Sequence, residues 1–127
     1  MKQIVQTDLA PKAVGPYSQA IRLGDFLFCS GQISINPETQ EVFTGDIKVQ
    51  TEMVLTNIEA ILNCQNLNFS HIVKTTIFLT SMSDFTTVNE IYAKRFPVNP
   101  PARSTIQVAG LPKGVNVEIE IIANFNA

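Results

Sequence analysis

Hydrophobic positions change period several times along this chain, and each change marks an element. Residues 72–79, Ile-Val-Lys-Thr-Thr-Ile-Phe-Leu, are dense in β-branched side chains and read as a central strand. Residues 18–23 alternate, Gly24-Asp25 makes a tight turn, and residues 26–30 run Phe-Leu-Phe-Cys-Ser, the signal of a hairpin. A short edge strand is expected within residues 2–6. Elsewhere the period becomes helical. Val54, Ile58, Ile61 and Leu62 fall on one helix face, with Thr51, Glu52, Asn57 and Glu59 elsewhere, so a helix is predicted from a cap at Asp46 to about Cys64. Residues 63–68 end it, with an Asn suited to a left-handed cap. A second helix begins within residues 81–84 and runs to about Phe96 on a stripe of Phe85, Val88, Tyr92 and Phe96, until Pro97, Pro100 and Pro101 stop it. Residues 8–16 and 33–45 carry the Gly, Pro and Asn of loops, and the first delivers Tyr17 and Ser18 to the strand that follows.

Residues 100–108 and 115–122 both alternate with period two, around the connection Ala109-Gly110-Leu111-Pro112-Lys113-Gly114. Paired as a hairpin turning between Leu111 and Pro112, they set Val108 against Val115, Ile106 against Val117 and Ser104 against Ile119 on a mainly apolar surface. Arg103, Thr105 and Gln107 then share the opposite face with Glu118 and Glu120. Direct pairing is left open, because another strand or a second subunit can lie between the two. The faces are expected to hold either way, since alternation fixes them within each strand. By itself, an Arg with two carboxylates on a sheet face is the pattern of a surface ion pair, worth roughly 0–1 kcal/mol and needing no function.

Strands, helix, strand, helix, strands is an α+β order. Its economical packing is a two-layer sandwich, a six-stranded mixed sheet with two helices on one face, in a single domain over residues 1–127. A chain with 45% hydrophobic and only 16% charged residues has little charge for its surface, so the uncovered sheet face is expected to lie against another copy in a homo-oligomer. Net charge is −2, and the nine Lys and Arg are scattered except for Lys94-Arg95; without a basic stripe, nucleic-acid binding is not expected. The opening residues lack the apolar core of a signal peptide and no apolar run approaches the ~18–20 residues of a membrane span, so a cytoplasmic protein with no membrane partner is expected. Cys29 and Cys64 read as free buried thiols, and His71 as the only histidine leaves no structural zinc. For the same reason Ser30 has no histidine base, which argues against a nucleophilic serine. Gly31, directly after Ser30, is where a strand end brings backbone N–H groups close to a ligand.

Seven segments taken together carry a family resemblance. They are Gly15-Pro16-Tyr17-Ser18-Gln19-Ala20, Ser30-Gly31-Gln32-Ile33, Val73-Lys74-Thr75-Thr76-Ile77-Phe78, Val88-Asn89-Glu90-Ile91-Tyr92, Pro101-Ala102-Arg103-Ser104, Leu111-Pro112-Lys113-Gly114 and Val117-Glu118-Ile119-Glu120. In this order the chain resembles the RidA (YjgF-type) reactive-intermediate deaminases along essentially its whole length. The resemblance implies a chorismate-mutase-like fold assembled as a homotrimer with clefts between neighbouring subunits. It also implies hydrolysis of 2-imino acids and their enamine tautomers, such as 2-iminobutanoate and 2-iminopropanoate, to 2-oxo acids and ammonia. On the family pattern Arg103 binds the substrate carboxylate, Glu118 positions or activates water, and Tyr17, Ser30, Gly31 and Asn89 line the cleft. Thr105 stands where many bacterial members carry Cys, and as a substrate-binding position it contributes either its backbone or a changed side chain.

The chemistry suits these residue types. A guanidinium fork grips a carboxylate through two N–H bonds, which Lys cannot reproduce. One carboxylate can serve as base for water and then as donor to the departing ammonia. The substrate also hydrolyses unaided, so neither metal nor cofactor is expected. Glu118 and Glu120, about 7 Å apart on one strand face, are rivals for the base, and the resemblance favours Glu118. Tyr17 has packing as its other reading, Asn89 a cap or bridge to backbone groups, and Cys29 beside Phe28 reads as core. The competing function is a non-catalytic sensor that holds a 2-oxo acid or amino acid in the same cleft. A ribonuclease, an activity attributed to relatives, fits poorly with a chain that lacks a basic groove and paired histidines.

Overall fold

The computed structural model describes all 127 residues. Its six strands are β1 (Gln3–Val5), β2 (Ala20–Leu23), β3 (Phe26–Gln32), β4 (Ile72–Leu79), β5 (Ala102–Gln107) and β6 (Val117–Asn124), and its two helices are α1 (Ile47–Asn63) and α2 (Phe85–Ala93). They form one mixed sheet in the order β1-β2-β3-β6-β4-β5, in which only β4 and β5 are parallel.

Local sequence explains most of the element ends. Asp46 accepts a bond from the Lys48 amide and starts α1. Asn66, at φ 59, turns the chain out of its last turn. Gly24, at φ 60, makes the β2–β3 turn. The second helix stops at Ala93 rather than Phe96, because Pro97 disfavours helical backbone in the residue before it. Phe96 is buried all the same, edge-on to Phe69 with ring centroids 5.5 Å apart.

The core lies between the helices and one sheet face. Leu27, Ile77, Ile119 and Ile121 meet Val54, Ile58, Ile61, Leu62 and Val88 in one buried cluster. Each such side chain contributes about 1.5–3 kcal/mol through burial. The other sheet face carries exposed Ile4, Phe26, Phe28 and Ile106, an apolar surface the two helices leave open.

The C-terminal hairpin does not form, because β4 lies between the two strands, parallel to β5 and antiparallel to β6. The expected sharing of a face also fails. Thr75 pairs with both Arg103 and Ile121, which puts Arg103 on the helix side; Phe78 pairs with both Ile106 and Glu118, which puts Glu118 on the open side. Alternation was right within each strand. The error was to treat the apolar face of residues 100–108 as the core face. β5 is an edge strand at the margin of the helical layer, so its helix side tolerates Arg103, Thr105 and Gln107, while Ile106 belongs to the open apolar face.

Candidate functional site

Glu118 sits on the open side of β6 beside an irregularity in β3. Cys29 pairs with Ile121 and Gln32 with Ile119, so Ser30 and Gly31 oppose Glu120 alone, the two-against-one count of a β-bulge. The Ser30 hydroxyl donates to the Ser18 carbonyl at 2.6 Å, and its amide to the Gln19 carbonyl at 2.9 Å. The buried Gln19 amide clamps the preceding loop, donating to the carbonyls of Thr7 (3.0 Å), Ala10 (3.3 Å) and Pro11 (2.8 Å) and accepting from the Thr7 amide at 2.7 Å. That loop brings Tyr17, itself exposed, to a cavity of about 810 Å³ lined also by Ser30, Gly31, Lys113, Glu118 and Glu120.

Burial, and then the negative charge of Glu120, hold the Glu118 carboxyl above its ordinary value. No salt bridge compensates it, since the ion pairs in the chain are those of Arg95 with Glu52 and Glu59. The folded state therefore binds this proton more tightly than the unfolded chain. Stability from this group is gained as pH falls through the folded value and lost as pH rises. A reaction that uses Glu118 as a base is expected to lose kcat/KM on the acid side with a midpoint above that of an ordinary Glu, and Glu120→Gln to move that midpoint down. A pH–rate profile of both proteins checks this.

The second cluster lies on the helix side of β5. The Arg103 guanidinium donates from Nη1 to Asn89 Oδ1 at 2.7 Å, and its carbon stands 5.0 Å from the centroid of Tyr92 and 5.5 Å from that of Phe85. Tyr92 shares a 2.7 Å hydrogen bond with Thr75, and burial pushes its phenol up, so it stays neutral beside the cation. Asn89, Tyr92, Phe96, Pro100, Pro101 and Arg103 line a cavity of about 420 Å³.

Comparison with known proteins agrees with this fold. A family model described as Endoribonuclease L-PSP matches residues 7–125. The chain belongs to the Rid (YjgF/RidA) family. It is 50% identical over 124 residues to Reactive Intermediate Deaminase A, chloroplastic, of Arabidopsis thaliana, covering 98% of this chain and 66% of that one. It is 41% identical over 123 residues to the human 2-iminobutanoate/2-iminopropanoate deaminase, covering 97% and 90%. The crystal structure of the Rid-family protein YyfA from Yersinia pestis superposes with a TM-score of 0.95 at 49% identity, covering 98% and 99%.

In this Rid-family chain the positions singled out from the sequence fall into two sets. Tyr17, Ser30, Gly31 and Glu118 come together, with Glu120, around the larger cavity; Asn89 and Arg103 come together around the smaller one. Within one chain the two sets are on opposite sides of the sheet. Thr105 pairs with Ile77, half-buried on the side of Arg103, and lines neither cavity. Gly31 is the penultimate residue of β3, at the bulge that closes the strand. Tyr92 and Lys113 were missed as site residues. The signal for Tyr92 was a hydroxyl in an otherwise apolar stripe, three residues from Asn89. The signal for Lys113 was a Lys before Gly114 in the tight connection, where it adopts φ 59.

His71 accepts at Nδ1 from the Asn68 amide at 3.1 Å, in the cap before β4. Both cysteines are free; Cys29 is buried with its thiol pushed up to about 12, first by burial, but Cys64 is exposed, contrary to expectation. Cys64 follows the last turn of α1, beyond its buried stripe. No cluster of three His, Cys, Asp or Glu is placed to hold a metal, and no helix is long and apolar enough to cross a membrane.

Proposed function

We propose that this protein hydrolyses 2-imino acids and their enamine tautomers, 2-iminobutanoate and 2-iminopropanoate among them, to 2-oxo acids and ammonia. The work is done in clefts where the Arg103 cluster of one copy meets the Glu118 cavity of the next in a homotrimer. The observation that carries the reading is the division of chemistry between two incomplete clusters. One holds an oriented guanidinium with no carboxylate partner; the other holds a half-buried carboxylate in no salt bridge. The apolar open face supplies a surface for assembly, and the human and Arabidopsis relatives, both named as deaminases, supply the reaction class.

In such a cleft Arg103, held by Asn89 and the rings of Tyr92 and Phe85, grips the substrate carboxylate and fixes the imine carbon. Water adds to the carbon of the N-protonated imine: Glu118 takes a proton from water as the new C–O bond forms and the C=N electron pair moves onto nitrogen. Glu118 then returns that proton to the nitrogen of the carbinolamine, and the C–N bond breaks. The remaining hydroxyl proton passes to the carboxylate and on to the departing ammonia, which leaves as ammonium with Glu118 ionised again. Tyr17 and the tied Ser30 border the same space. A positioned acid–base group of this kind is worth ~10²–10⁴ in rate.

The test generates the imine in situ with a threonine dehydratase and a competing trap, and follows 2-oxobutanoate. The wild type is expected to speed its appearance. Glu118→Gln is expected to lose ~10²–10⁴ of that acceleration while still binding 2-oxobutanoate. Binding by both proteins with no acceleration by the wild type would instead identify a sensor. The ribonuclease in the family model's description has less support in this chain, whose single histidine is tied into a backbone cap and whose net charge is −2.

A further inference from the structure

We propose that Gly31 is a positioning residue for Glu118, its missing side chain leaving the space in which that carboxylate rests. The inference rests on the hydrolase reading only for its kinetic consequence. A Cβ at position 31 would lie 2.6 Å from Glu118 Oε2, 2.8 Å from Cδ and 3.0 Å from Cγ, so the end of the Glu118 side chain occupies the volume a methyl would need. The backbone does not itself demand glycine there. Gly15, Gly24 and Gly114 have positive φ, whereas Gly31 does not.

The bulge explains how the seat arises. With Ser30 and Gly31 together opposing Glu120, β3 departs from regular pairing beside the β6 carboxylates. Ser30 is held at this point through the Ser18 and Gln19 carbonyls, so the strand cannot drift away from the glutamate. The carboxylate is thereby kept against Gly31, half-buried in the wall of the cavity. Glycine at 31 then acts through Glu118, which is a different role from direct contact with substrate.

Gly31→Ala is the test. The clash is with the far end of a flexible side chain, so the variant is expected to fold, with Glu118 turned out toward solvent. A ¹³C NMR titration of labelled Glu is expected to show Glu118 titrating at lower pH than in the wild type, since it loses burial. Turnover is expected to fall about 10- to 100-fold, the scale of a displacement on the order of 1 Å, with KM and the Kd for 2-oxobutanoate within about twofold and the acid limb moved down. Should the single variant not fold, Gly31→Ala combined with Glu118→Ala, which has room for the methyl, is expected to fold. An unchanged Glu118 titration, a raised Kd with unchanged kcat, or a double variant that also fails to fold would each overturn the proposal. A wild type without imine hydrolysis would defeat the hydrolase reading instead, and the titration would still decide whether Gly31 seats Glu118.

Discussion

Arg103→Ala is expected to lower kcat/KM for a short-chain 2-imino acid by about 10²–10⁴ and to leave the fold intact. Two charge-assisted bonds to a carboxylate at about 1.5–3 kcal/mol each amount to roughly 3–6 kcal/mol, and each ~1.4 kcal/mol is tenfold. The fold is spared because Arg103 is exposed at the margin of an edge strand and its bond to Asn89 leaves both partners able to turn to water. Changes at such positions are usually within about 0.5 kcal/mol of neutral. Arg103→Lys separates charge from geometry: it keeps the cation but loses the fork that spans Asn89 and the substrate, so most of the loss is expected to remain. Steady-state kinetics with thermal melts of both variants check this. A fully active Arg103→Lys protein would mean that a bare positive charge suffices, and an active Arg103→Ala protein would remove Arg103 from the site.

Where local chemistry decides, the sequence was legible. Asp46 and the stripe from Val54 to Leu62 marked α1; Gly24-Asp25 marked the β2–β3 turn; the β-branched run at 72–79 marked β4. What was not legible depends on register. The face of β5 that meets the core follows from the pairing of Thr75 with Arg103, and nothing local in residues 100–108 encodes it. An apolar side at Ile106 is an ordinary core signal, yet here it belongs to a second apolar surface that the helices leave uncovered. The parting of Arg103 from Glu118 was hidden for the same reason. The family pattern named both residues without saying that they point to opposite sides of one sheet. The grouping of Tyr17, Ser30 and Gly31 with Glu118 was more accessible, because residues 17–31 form one hairpin and its entry loop, and only the antiparallel β3–β6 pairing had to be added. Gln19 as clamp of that loop was not accessible, since nothing in an amide's sequence position says that it will find four backbone groups at once.

That parting leads to the second large effect. Arg103→Ala and Glu118→Gln proteins, each nearly inactive alone, are expected to regain activity when their subunits are mixed in one oligomer. If each cleft draws Arg103 from one copy and Glu118 from its neighbour, a Glu118→Gln subunit still supplies the guanidinium and an Arg103→Ala subunit the carboxylate. In a one-to-one mixture each requirement is met half the time, so about a quarter of the clefts in a cyclic assembly are whole and activity approaches about a quarter of wild type. Both substitutions are polar changes outside the buried core, so subunits are expected to exchange after denaturation and refolding, or to mix on co-expression with two tags. Activity per cleft, measured on material of known oligomeric state, gives the result: about a quarter of wild type in the unselected mixture, and about a third in doubly tagged trimers, each of which has one whole cleft of three. A site completed within one chain predicts no recovery at all, because every subunit in the mixture then lacks one of its two groups. The two outcomes differ by orders of magnitude, and the geometry favours recovery: the sheet itself stands between the Arg103 side chain and the Glu118 cavity of the same chain.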